Sequence, residues 1–528
     1  MKNFKFAALI AAIIFTALFV SCPTAKNIPE GGNEEANKNE NKEKKPPYDV
    51  WKDSSRDKSY ATVFEGDKGP IGVDNQKGFY RIPALTVTKD GVLLAFADKR
   101  FGDNMDTGYD IPISGGIAQS GNYKNKNKPS DIVMRKSSDA GKTWSEETVC
   151  ARGDGHGQQQ AHNDAENNSI TSVTKPQDGK YAGHCDAVPA ADRDSGQLLF
   201  LTCSGSSNYD NQNGPNYLLC FTSLDGGKTW SKNDISGQVE TATGTTGTQK
   251  AGGKRFFGSG RATQSKIHKK GSHYRVYAHV GINGKGYVMY TDDFGSNWKM
   301  LKGLGGSGEI TGWDEVKVTE FDDGSLLIVG KQKRNLNPHA NPLTVFRYSD
   351  VENGTGTFEN NVNVQKIAGT ECNGDMIIVK AKKTASGEKV NLVLASYPLG
   401  LKSGAASASE ISGARSSTNF SRFNIGIYWK EFEGDAVTLP EATSFNSGWC
   451  TTPYRVQGNE DIEGVYSVMQ ELPNKNIGIL YEEGPATRAE LKNGQKIPFK
   501  GYQYGDWNVI KYKELDISDI TGGQYSKL

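Results

Sequence analysis

The feature of the sequence that most constrains its fold is an eight-residue pattern that occurs three times. The copies run from Ser137 to Trp144, from Ser223 to Trp230 and from Thr291 to Trp298, and they share Ser/Thr-x-Asp-x-Gly-x-x-Trp. An Asp can accept hydrogen bonds from nearby backbone N–H groups, a Gly can adopt positive φ, and a Trp can pack on an adjoining sheet. The pattern therefore predicts tight turns in a repeated unit of antiparallel strands. We assign a structural role to its three aspartates, Asp139, Asp225 and Asp293.

The chain beyond about residue 60 is a series of short apolar runs separated by Gly, Asp and Asn. Examples lie at 92–96, 197–201 and 325–329, and each has the length of a β-strand. No long segment keeps the 3.6-residue period of a helix. The high glycine content, 62 of 528 residues, fits a protein with many turns. The sequence therefore predicts an all-β fold.

The N-terminal segment predicts export. Lys2 and Lys5 precede an apolar stretch at 6–20, which is shorter than the roughly 20 residues that a membrane-spanning helix needs. The segment ends at Leu18-Phe19-Val20-Ser21-Cys22 and resembles a bacterial lipobox, which implies lipidation of Cys22 and attachment to the bacterial envelope or cell surface. An ordinary secretory peptide is the alternative. We predict a signal peptide over 1–22, a disordered polar tether over 23–60 and one folded domain over 61–528, to which any activity would belong.

The charge balance and the cysteine spacing give no support for a nucleic-acid-binding protein or for a metal site. The chain has 62 basic and 61 acidic residues, so nothing in its charge predicts nucleic-acid binding. No Cys-x-x-Cys or His-x-x-x-His spacing predicts a metal site. Cys203 and Cys220 lie in neighbouring apolar runs, and in an exported protein they could pair across a hairpin.

The tripeptide Arg81-Ile82-Pro83 stands ahead of the three repeats. The repeats resemble the Asp-boxes of sialidase-like propellers, and the tripeptide resembles the Arg-Ile-Pro motif of bacterial sialidases. The resemblance extends from about Tyr80 to Glu483 and implies a six-bladed β-propeller with its site on the axis. It also implies that Arg81 binds the carboxylate of sialic acid. Asp-boxes occur in propellers with other functions, so the repeat alone predicts the fold and not the reaction.

The resemblance implies further pocket residues in the first half of the chain. Arg100 would be a second basic residue near the substrate, and the acid/base aspartate would follow it in a loop. Asp106 fits that position best, with Asp103 and Asp110 as alternatives. Asp186, in the segment Cys185-Asp186-Ala187-Val188-Pro189, would contact a glycan hydroxyl.

The second half of the chain resembles the family's glutamate and tyrosine motifs. In the segment 313–326 the register selects Glu315 as the base and leaves Glu320 as an ordinary residue at a strand end. The segment 464–472, followed by a turn and a strand that ends in Tyr481-Glu482, implies Tyr466 as the nucleophile.

Two further arginines would complete the carboxylate clamp. Arg422 resembles the third arginine, and Arg415 is a weaker competitor. Arg334 is predicted as the second, although it lies a few residues late. Lys331 occupies the ungapped position, and Arg347 is a further candidate.

These residue types suit the reaction that the resemblance implies. Sialic acid carries a carboxylate on its anomeric carbon, which arginines bind through paired, charge-assisted hydrogen bonds. A neutral phenol avoids the repulsion that a carboxylate nucleophile would meet, and Glu315 could take its proton. Asp106 would protonate the leaving oxygen and then activate water, with retention of configuration and no cofactor. The implied partners are sialylated glycans. The alternatives are a trans-sialidase and a non-catalytic sialoglycan-binding propeller.

Overall fold

The computed structural model describes 17 stretches of the chain, and every structural statement below concerns these residues: 51, 61–66, 78–101, 108–109, 127–128, 130–153, 183–205, 216–245, 255–311, 313–332, 340–365, 367, 372–399, 422–432, 437–458, 462–487 and 509–528.

Strands dominate the described residues. In chain order they are β1 (Ala61–Phe64), β2 (Gly78–Val87), β3 (Leu93–Phe101), β4 (Gly108–Tyr109), β5 (Asn127–Lys128), β6 (Ser130–Ser137), β7 (Thr148–Ala151), β8 (His184–Ala191), β9 (Leu198–Gly205), β10 (Asn216–Ser223), β11 (Ser231–Asp234), β12 (Arg255–Phe257), β13 (Thr263–Lys270), β14 (His273–Ile282), β15 (Lys285–Thr291), β16 (Lys299–Met300), β17 (Lys302–Gly303), β18 (Glu309–Thr311), β19 (Trp313–Glu320), β20 (Leu326–Gln332), β21 (Asn341–Asp350), β22 (Thr355–Phe358), β23 (Val362–Val364), β24 (Asp375–Lys383), β25 (Lys389–Pro398), β26 (Ile425–Glu431), β27 (Tyr454–Arg455), β28 (Ile462–Glu471), β29 (Ile477–Thr487), β30 (Val509–Leu515) and β31 (Tyr525–Lys527).

The helices are few and short: α1 (Ser236–Thr243), α2 (Ile517–Ile520) and one turn of 3₁₀ helix (Ala442–Asn446). No helix among the described residues is long and apolar enough to span a membrane.

Six sheets of four to six strands form the blades of a propeller. Blade 1 holds β2, β3, β6 and β7, blade 2 holds β8 to β11, and blade 3 holds β12 to β16 and β18. Blade 4 holds β17 and β19 to β23, blade 5 holds β24 to β27 and β31, and blade 6 holds β28 to β30 and β1. The strands β2, β8, β13, β19, β24 and β28 contact one another in that order, and β28 contacts β2. This closed ring confirms the predicted all-β, six-bladed β-propeller.

Blade 6 closes the ring because it joins strands from both ends of the domain. Strand β1 pairs with β30, and Ala61 lies opposite Tyr512. Closing the ring with the chain's own strands removes the open edges that a linear array of sheets would leave.

The apolar core lies between neighbouring blades. Each of six large clusters of buried side chains joins residues from two adjacent sheets. Between blades 1 and 2, for example, Phe96 and Phe200 pack against Trp230 with ring centroids 6.4 and 4.8 Å away. Since every blade buries both faces in this way, the innermost strands are held rigidly around the axis.

The three repeats form the turns that join the third and fourth strands of blades 1, 2 and 3. In the second copy, Asp225 accepts hydrogen bonds from Ser223 Oγ at 2.8 Å, from the backbone of Thr229 at 2.9 Å and from Thr229 Oγ1 at 2.6 Å. Gly227 has φ +83, and a Cβ there would lie 2.8 Å from Met134 Cε. The tryptophans pack at the junction with the preceding blade, as Trp230 does. The predicted structural role of the three aspartates is confirmed.

Removing an Asp-box carboxylate should destabilise the fold without touching the pocket. We expect Asp225→Ala to lower the free energy of unfolding by about 1–2 kcal/mol, because the turn loses several hydrogen bonds at once. Chemical denaturation measures this loss. The control is Asp322→Ala, which removes only an exposed pair with Lys380, an interaction worth about 0–1 kcal/mol. Equal losses in the two variants would contradict a structural role for Asp225.

The suggested pairing of Cys203 with Cys220 is wrong. In the hairpin of β9 and β10, Cys203 lies opposite Leu218 and Cys220 lies opposite Leu201, so the two sulfurs are two positions out of register. The Sγ atom of Cys203 instead lies 3.2 Å from that of Cys185 on β8.

Candidate active site

Four innermost strands have an irregularity at the predicted site residues. The register of β2 shifts between Arg81 and Ala84, that of β8 between Cys185 and Val188, that of β19 between Asp314 and Lys317, and that of β28 between Gly464 and Ser467. A bulge leaves one residue outside the ladder and redirects its side chain.

Strained backbone accompanies three of these bulges. Ile82, Asp186 and Glu315 have φ values of 57, 63 and 47. Residues other than glycine rarely adopt this region, and such strain concentrates at functional sites. Pro83 fits the first bulge because proline has no N–H to donate to a ladder.

Arg81 is held by a carboxylate from the opposite end of the chain. Its Nε donates to both oxygens of Glu482 at 3.1 Å, and the backbone N–H of Ile82 donates to Glu482 Oε1 at 2.5 Å. The side chains of Arg81 and Glu482 are 9% and 0% exposed. The ion pair joins blade 1 to blade 6, and it fixes the guanidinium beside the axis.

Tyr466 lies between this arginine and Glu315. The Arg81 Cζ atom is 5.6 Å from the centroid of the Tyr466 ring. The ring is 9% exposed and packs with Ile82, Cys372 and Val465. Burial, followed by the nearby Glu315 charge, raises the pKa of Tyr466 well above its usual value. The phenol is therefore neutral in the unliganded protein.

Glu315 is the acceptor next to Tyr466. Burial alone would raise its pKa, but the charge and hydrogen bond of Lys331, the hydrogen bond with Tyr466 and the charge of Lys317 lower the pKa to about 2. Lys331 Nζ donates to Glu315 Oε2 at 2.7 Å. Glu315 is therefore a carboxylate across the neutral and mildly acidic range.

Lys331, and not Arg347, lies next to the predicted base. The hairpin of β19 and β20 places Lys331 opposite Asp314, one residue from Glu315. The Glu315 charge raises the pKa of Lys331 against the effect of burial. Arg347 is outside the pocket, because it pairs with Glu359 at 2.7 Å and donates to the Leu439 carbonyl. Of the three candidates for the second clamp position, Lys331 therefore lies at the site and Arg347 does not. The third candidate, Arg334, lies outside the described residues.

Arg422 approaches the same tyrosine from blade 5. It is half-buried, and its charge opposes the rise in the pKa of Tyr466. Its carbonyl accepts a hydrogen bond of 3.0 Å from Gly464 N on β28, two residues before Tyr466. The segment that carries Arg422 is thus fastened to the strand that carries the tyrosine.

A buried aspartate joins Arg100 and Asp186. Asp98 lies opposite Arg81 in the β2–β3 hairpin. Its side chain accepts hydrogen bonds from Arg100 Nη2 at 2.9 Å and from the backbone of Asp186 at 3.1 Å. Burial raises the pKa of Asp98 to about 6, against the charge and hydrogen bond of Arg100.

A buried lysine lies behind Glu315. Lys317 Nζ donates to Asn373 Oδ1 at 2.8 Å and to the Glu315 carbonyl at 3.4 Å. Burial lowers its pKa to about 8, against the charges of Asp375 and Glu315. Cations therefore surround the Tyr466–Glu315 pair, and they favour an anionic ligand.

The structure brings together six predicted residues: Arg81, Arg100, Asp186, Glu315, Arg422 and Tyr466. Asp106, Asp103, Asp110, Arg334, Arg415 and Cys22 lie outside the described residues. Glu320 is away from the pocket, as predicted, since it accepts hydrogen bonds from Ser265 Oγ and Lys266 N of blade 3.

Sequence reasoning assigned no role to Asp98, Glu482 or Lys317. Asp98 and Arg100 are two apart on one strand, so they share a face, and that spacing could have indicated their pairing. Glu482 ends the strand of the tyrosine motif. Its partner is 401 residues away in sequence, and only the closed ring brings the two together.

One group of possible metal ligands lies beside the pocket in the described part of the chain. Ligand atoms of Cys185, Asp186 and Cys203 lie within 4.8 Å of one another.

Comparison with known proteins agrees with this fold and with the Asp-box repeat. A family model described as BNR/Asp-box repeat matches residues 221–232, which contain the whole of the second repeat. Over 433 residues the chain is 26% identical to a sialidase of Micromonospora viridifaciens, a match that covers 79% of this chain and 52% of that relative. The match thus spans about half the length of the curated relative.

Several solved structures with a similar fold are sialidases or trans-sialidases. The intramolecular trans-sialidase from Ruminococcus gnavus aligns with a TM-score of 0.54 and 17% identity over 86% of this chain and 98% of that one. The NanB sialidase from Streptococcus pneumoniae aligns with a TM-score of 0.54 and 16% identity, over 87% of this chain and 71% of that one. The repeat, the sequence similarity and the fold together confirm the predicted resemblance to bacterial sialidases with Asp-box repeats.

Proposed function

We propose that the protein is a retaining exo-α-sialidase that hydrolyses terminal sialic acid from glycoconjugates. One observation carries the proposal: a neutral tyrosine next to an ionised glutamate lies among cationic side chains, where the innermost strands of the blades meet. A glycan-binding propeller would need the cations but would have no use for the Tyr466–Glu315 pair.

The cations bind the substrate carboxylate in this mechanism. Because Glu482 engages Arg81 through Nε, the guanidinium is held in one orientation, and a guanidinium suits a carboxylate bound through two parallel hydrogen bonds. Arg422 supplies a second guanidinium and Lys331 supplies an ammonium, and Arg334 stays the predicted further arginine. Lys331 is shared with Glu315, so substrate binding redistributes its hydrogen bonds.

The Tyr466 oxygen then attacks the anomeric carbon while Glu315 takes the phenol proton. The high pKa of Tyr466 and the low pKa of Glu315 make this proton transfer unfavourable before reaction, so it accompanies bond formation. A neutral nucleophile can approach an anomeric centre that bears a carboxylate, whereas an anionic nucleophile would be repelled.

Asp106 is proposed as the acid/base. It follows Arg100 by six residues in the chain, and Arg100 is held at the pocket by Asp98. Asp106 would protonate the leaving oxygen and then activate the water that releases the sugar. Asp186 would bind a glycan hydroxyl.

Incubation with a fluorogenic α-sialoside tests the proposal. We expect release of the fluorophore, no release from matched uncharged glycosides, and α-sialic acid as the first product by proton NMR. Formation of a sialylated acceptor sugar or of an anhydro sugar, in place of free sialic acid, would indicate that the protein transfers sialic acid. Intramolecular trans-sialidases are among the solved structures with a similar fold. Binding of sialosides without any release would favour a lectin.

Removal of Lys331 should shift the pH profile. In Lys331→Met the leading cause that lowers the Glu315 pKa is lost, and burial then raises that pKa from about 2. Glu315 must be ionised to accept a proton, so kcat/KM should acquire a new acid limb that the wild type lacks, together with a lower plateau. The control Lys380→Met removes an exposed lysine of blade 5. An unchanged profile in Lys331→Met would contradict the pairing.

We also propose that the protein is exported and lipid-anchored through Cys22. The support is the sequence alone: a short apolar core, a lipobox-like end and a polar tether. We expect Cys22→Ser to move the protein from the detergent phase to the aqueous phase in detergent partitioning, or to block removal of the signal peptide. Unchanged partitioning and processing would count against lipidation.

A further inference from the structure

Two cysteines face each other next to the pocket. Cys185 on β8 and Cys203 on β9 are directly opposite in the antiparallel ladder, and their Sγ atoms are 3.2 Å apart. Cys203 is 4% exposed, and Cys185 is half-buried. Directly opposite residues of antiparallel strands have Cα atoms about 4.5–5.5 Å apart, which lies within the range that disulfides span.

The same cysteines flank a predicted substrate-binding residue. Asp186 follows Cys185 in the bulge of β8 and has φ 63. The Cys203 thiol lies 3.6 Å from Asp186 Oδ2 and 3.5 Å from the Cys185 carbonyl. A change of the Cys203 sulfur from a thiol to a disulfide would therefore alter the surroundings of the Asp186 carboxylate.

We propose that Cys185 and Cys203 form a reversible cross-strand disulfide, an oxidative modification site that controls how Asp186 meets the substrate. The effect on turnover rests on the proposed sialidase function, whereas formation of the bond does not.

The geometry favours a disulfide over a metal site. Asp186 could complete a three-ligand group with the two thiols. Two thiolates bound tetrahedrally to zinc at about 2.3 Å would have sulfurs about 3.8 Å apart. The observed 3.2 Å is shorter than that, and closing to a bond of about 2.0 Å needs only a small rotation of two side chains.

The reaction with a small disulfide such as glutathione disulfide balances in two steps. The Cys185 thiolate attacks one sulfur of the oxidant, forms a mixed disulfide and releases one glutathione thiol. The Cys203 sulfur then attacks Cys185 Sγ and releases the second. The two cysteines are oxidised, and the oxidant is reduced to two thiols.

The order of attack follows from the surroundings of each sulfur. A hydrogen bond with Cys185, burial and the charges of Asp186 and Asp98 raise the pKa of the Cys203 thiol well above its usual value. Cys203 therefore acts second, and the Asp186 carboxylate accepts its proton and passes it to solvent.

Oxidation removes the Cys203 thiol hydrogen, for which the Asp186 carboxylate at 3.6 Å is one of the acceptors within reach. The carboxylate then no longer accepts from this thiol, so the thiol no longer competes with a glycan hydroxyl for it. We expect KM to fall by roughly three- to tenfold on oxidation, the effect of one hydrogen bond, while kcat changes little.

The experiment compares the full-length protein after treatment with glutathione disulfide and after reduction with dithiothreitol. Alkylation and peptide mass spectrometry should find a bond between Cys185 and Cys203 only in the oxidised sample. Cys203→Ser should abolish this bond and make KM insensitive to redox state. Cys220→Ser, a buried cysteine on the next strand, should behave as the wild type.

Three results would overturn the inference. One is alkylation of both thiols after oxidation. Another is stoichiometric zinc in the reduced protein that is lost in Cys203→Ser. The third is a disulfide that leaves KM unchanged. If no sialoside is cleaved at all, the proposed function fails, and the peptide map still decides the bond.

Discussion

Replacing Tyr466 with Phe is expected to lower sialoside turnover by several orders of magnitude, because the variant lacks the oxygen that forms the covalent bond in the proposed mechanism. The ring is 9% exposed, and its neighbours Ile82, Cys372 and Val465 contact carbon atoms that Phe retains. The fold should therefore persist, with a thermal midpoint close to that of the wild type. Binding of sialic acid should largely persist as well, because Arg81 and Arg422 remain.

A second buried tyrosine supplies the matched control. Tyr290 lies in blade 3, and Arg275 stacks on its ring at 4.0 Å. Tyr290→Phe removes one phenol oxygen from the interior without reaching the pocket, so kcat should stay near the wild-type value. Wild-type turnover in Tyr466→Phe would remove the nucleophile from the mechanism.

Arg81→Ala is expected to reduce kcat/KM by an amount equivalent to about 2–5 kcal/mol of transition-state stabilisation. The reason is that the desolvated carboxylate of the bound substrate loses its partner. The variant should also be less stable. Glu482 is 0% exposed and would remain buried without this guanidinium, which typically costs about 3–5 kcal/mol.

A double variant separates these two effects. In Arg81→Ala with Glu482→Gln the buried carboxylate is neutral, so much of the stability should return while kcat/KM stays low. Arg347→Ala removes an arginine that pairs with Glu359 outside the pocket, and it should keep full activity. Near-normal kcat/KM in Arg81→Ala would contradict carboxylate recognition by this residue.

The propeller could be predicted from the sequence because each Asp-box turn is stabilised by hydrogen bonds among its own residues. In all three repeats the Ser or Thr, the Asp and the residue four places after the Asp form the same hydrogen bonds. Such local contacts involve residues a few positions apart, so the pattern appears in the sequence.

The detailed geometry of the site depends on contacts that no local pattern shows. The bulges at Ile82, Asp186 and Glu315 place ordinary side chains at positive φ, against their intrinsic preference. The pairing of Arg81 with Glu482 requires the ring to close. These features follow from the assembled blades, and the order of motifs alone does not contain them.

The choice among the cations illustrates the difference. The sequence predicted Arg334, which lies a few residues late and outside the described residues, and left Lys331 and Arg347 as alternatives. The register of one hairpin places Lys331 next to Glu315, whereas Arg347 belongs to β21, the third strand of blade 4 counted from the axis. The cysteines also show that strand register cannot be read from the sequence. Cys203 and Cys220 lie on adjacent strands of one hairpin, but they are two positions out of register.

Covalent trapping tests the central claim most directly. A fluorinated sialoside with a good leaving group forms the glycosyl-enzyme quickly and releases it slowly, so the intact protein should gain the mass of one sugar. Peptide mass spectrometry should place that mass on Tyr466 in the wild type, and Tyr466→Phe should gain none. Label on any other residue, or steady cleavage of sialosides with no label on Tyr466, would contradict the proposed mechanism.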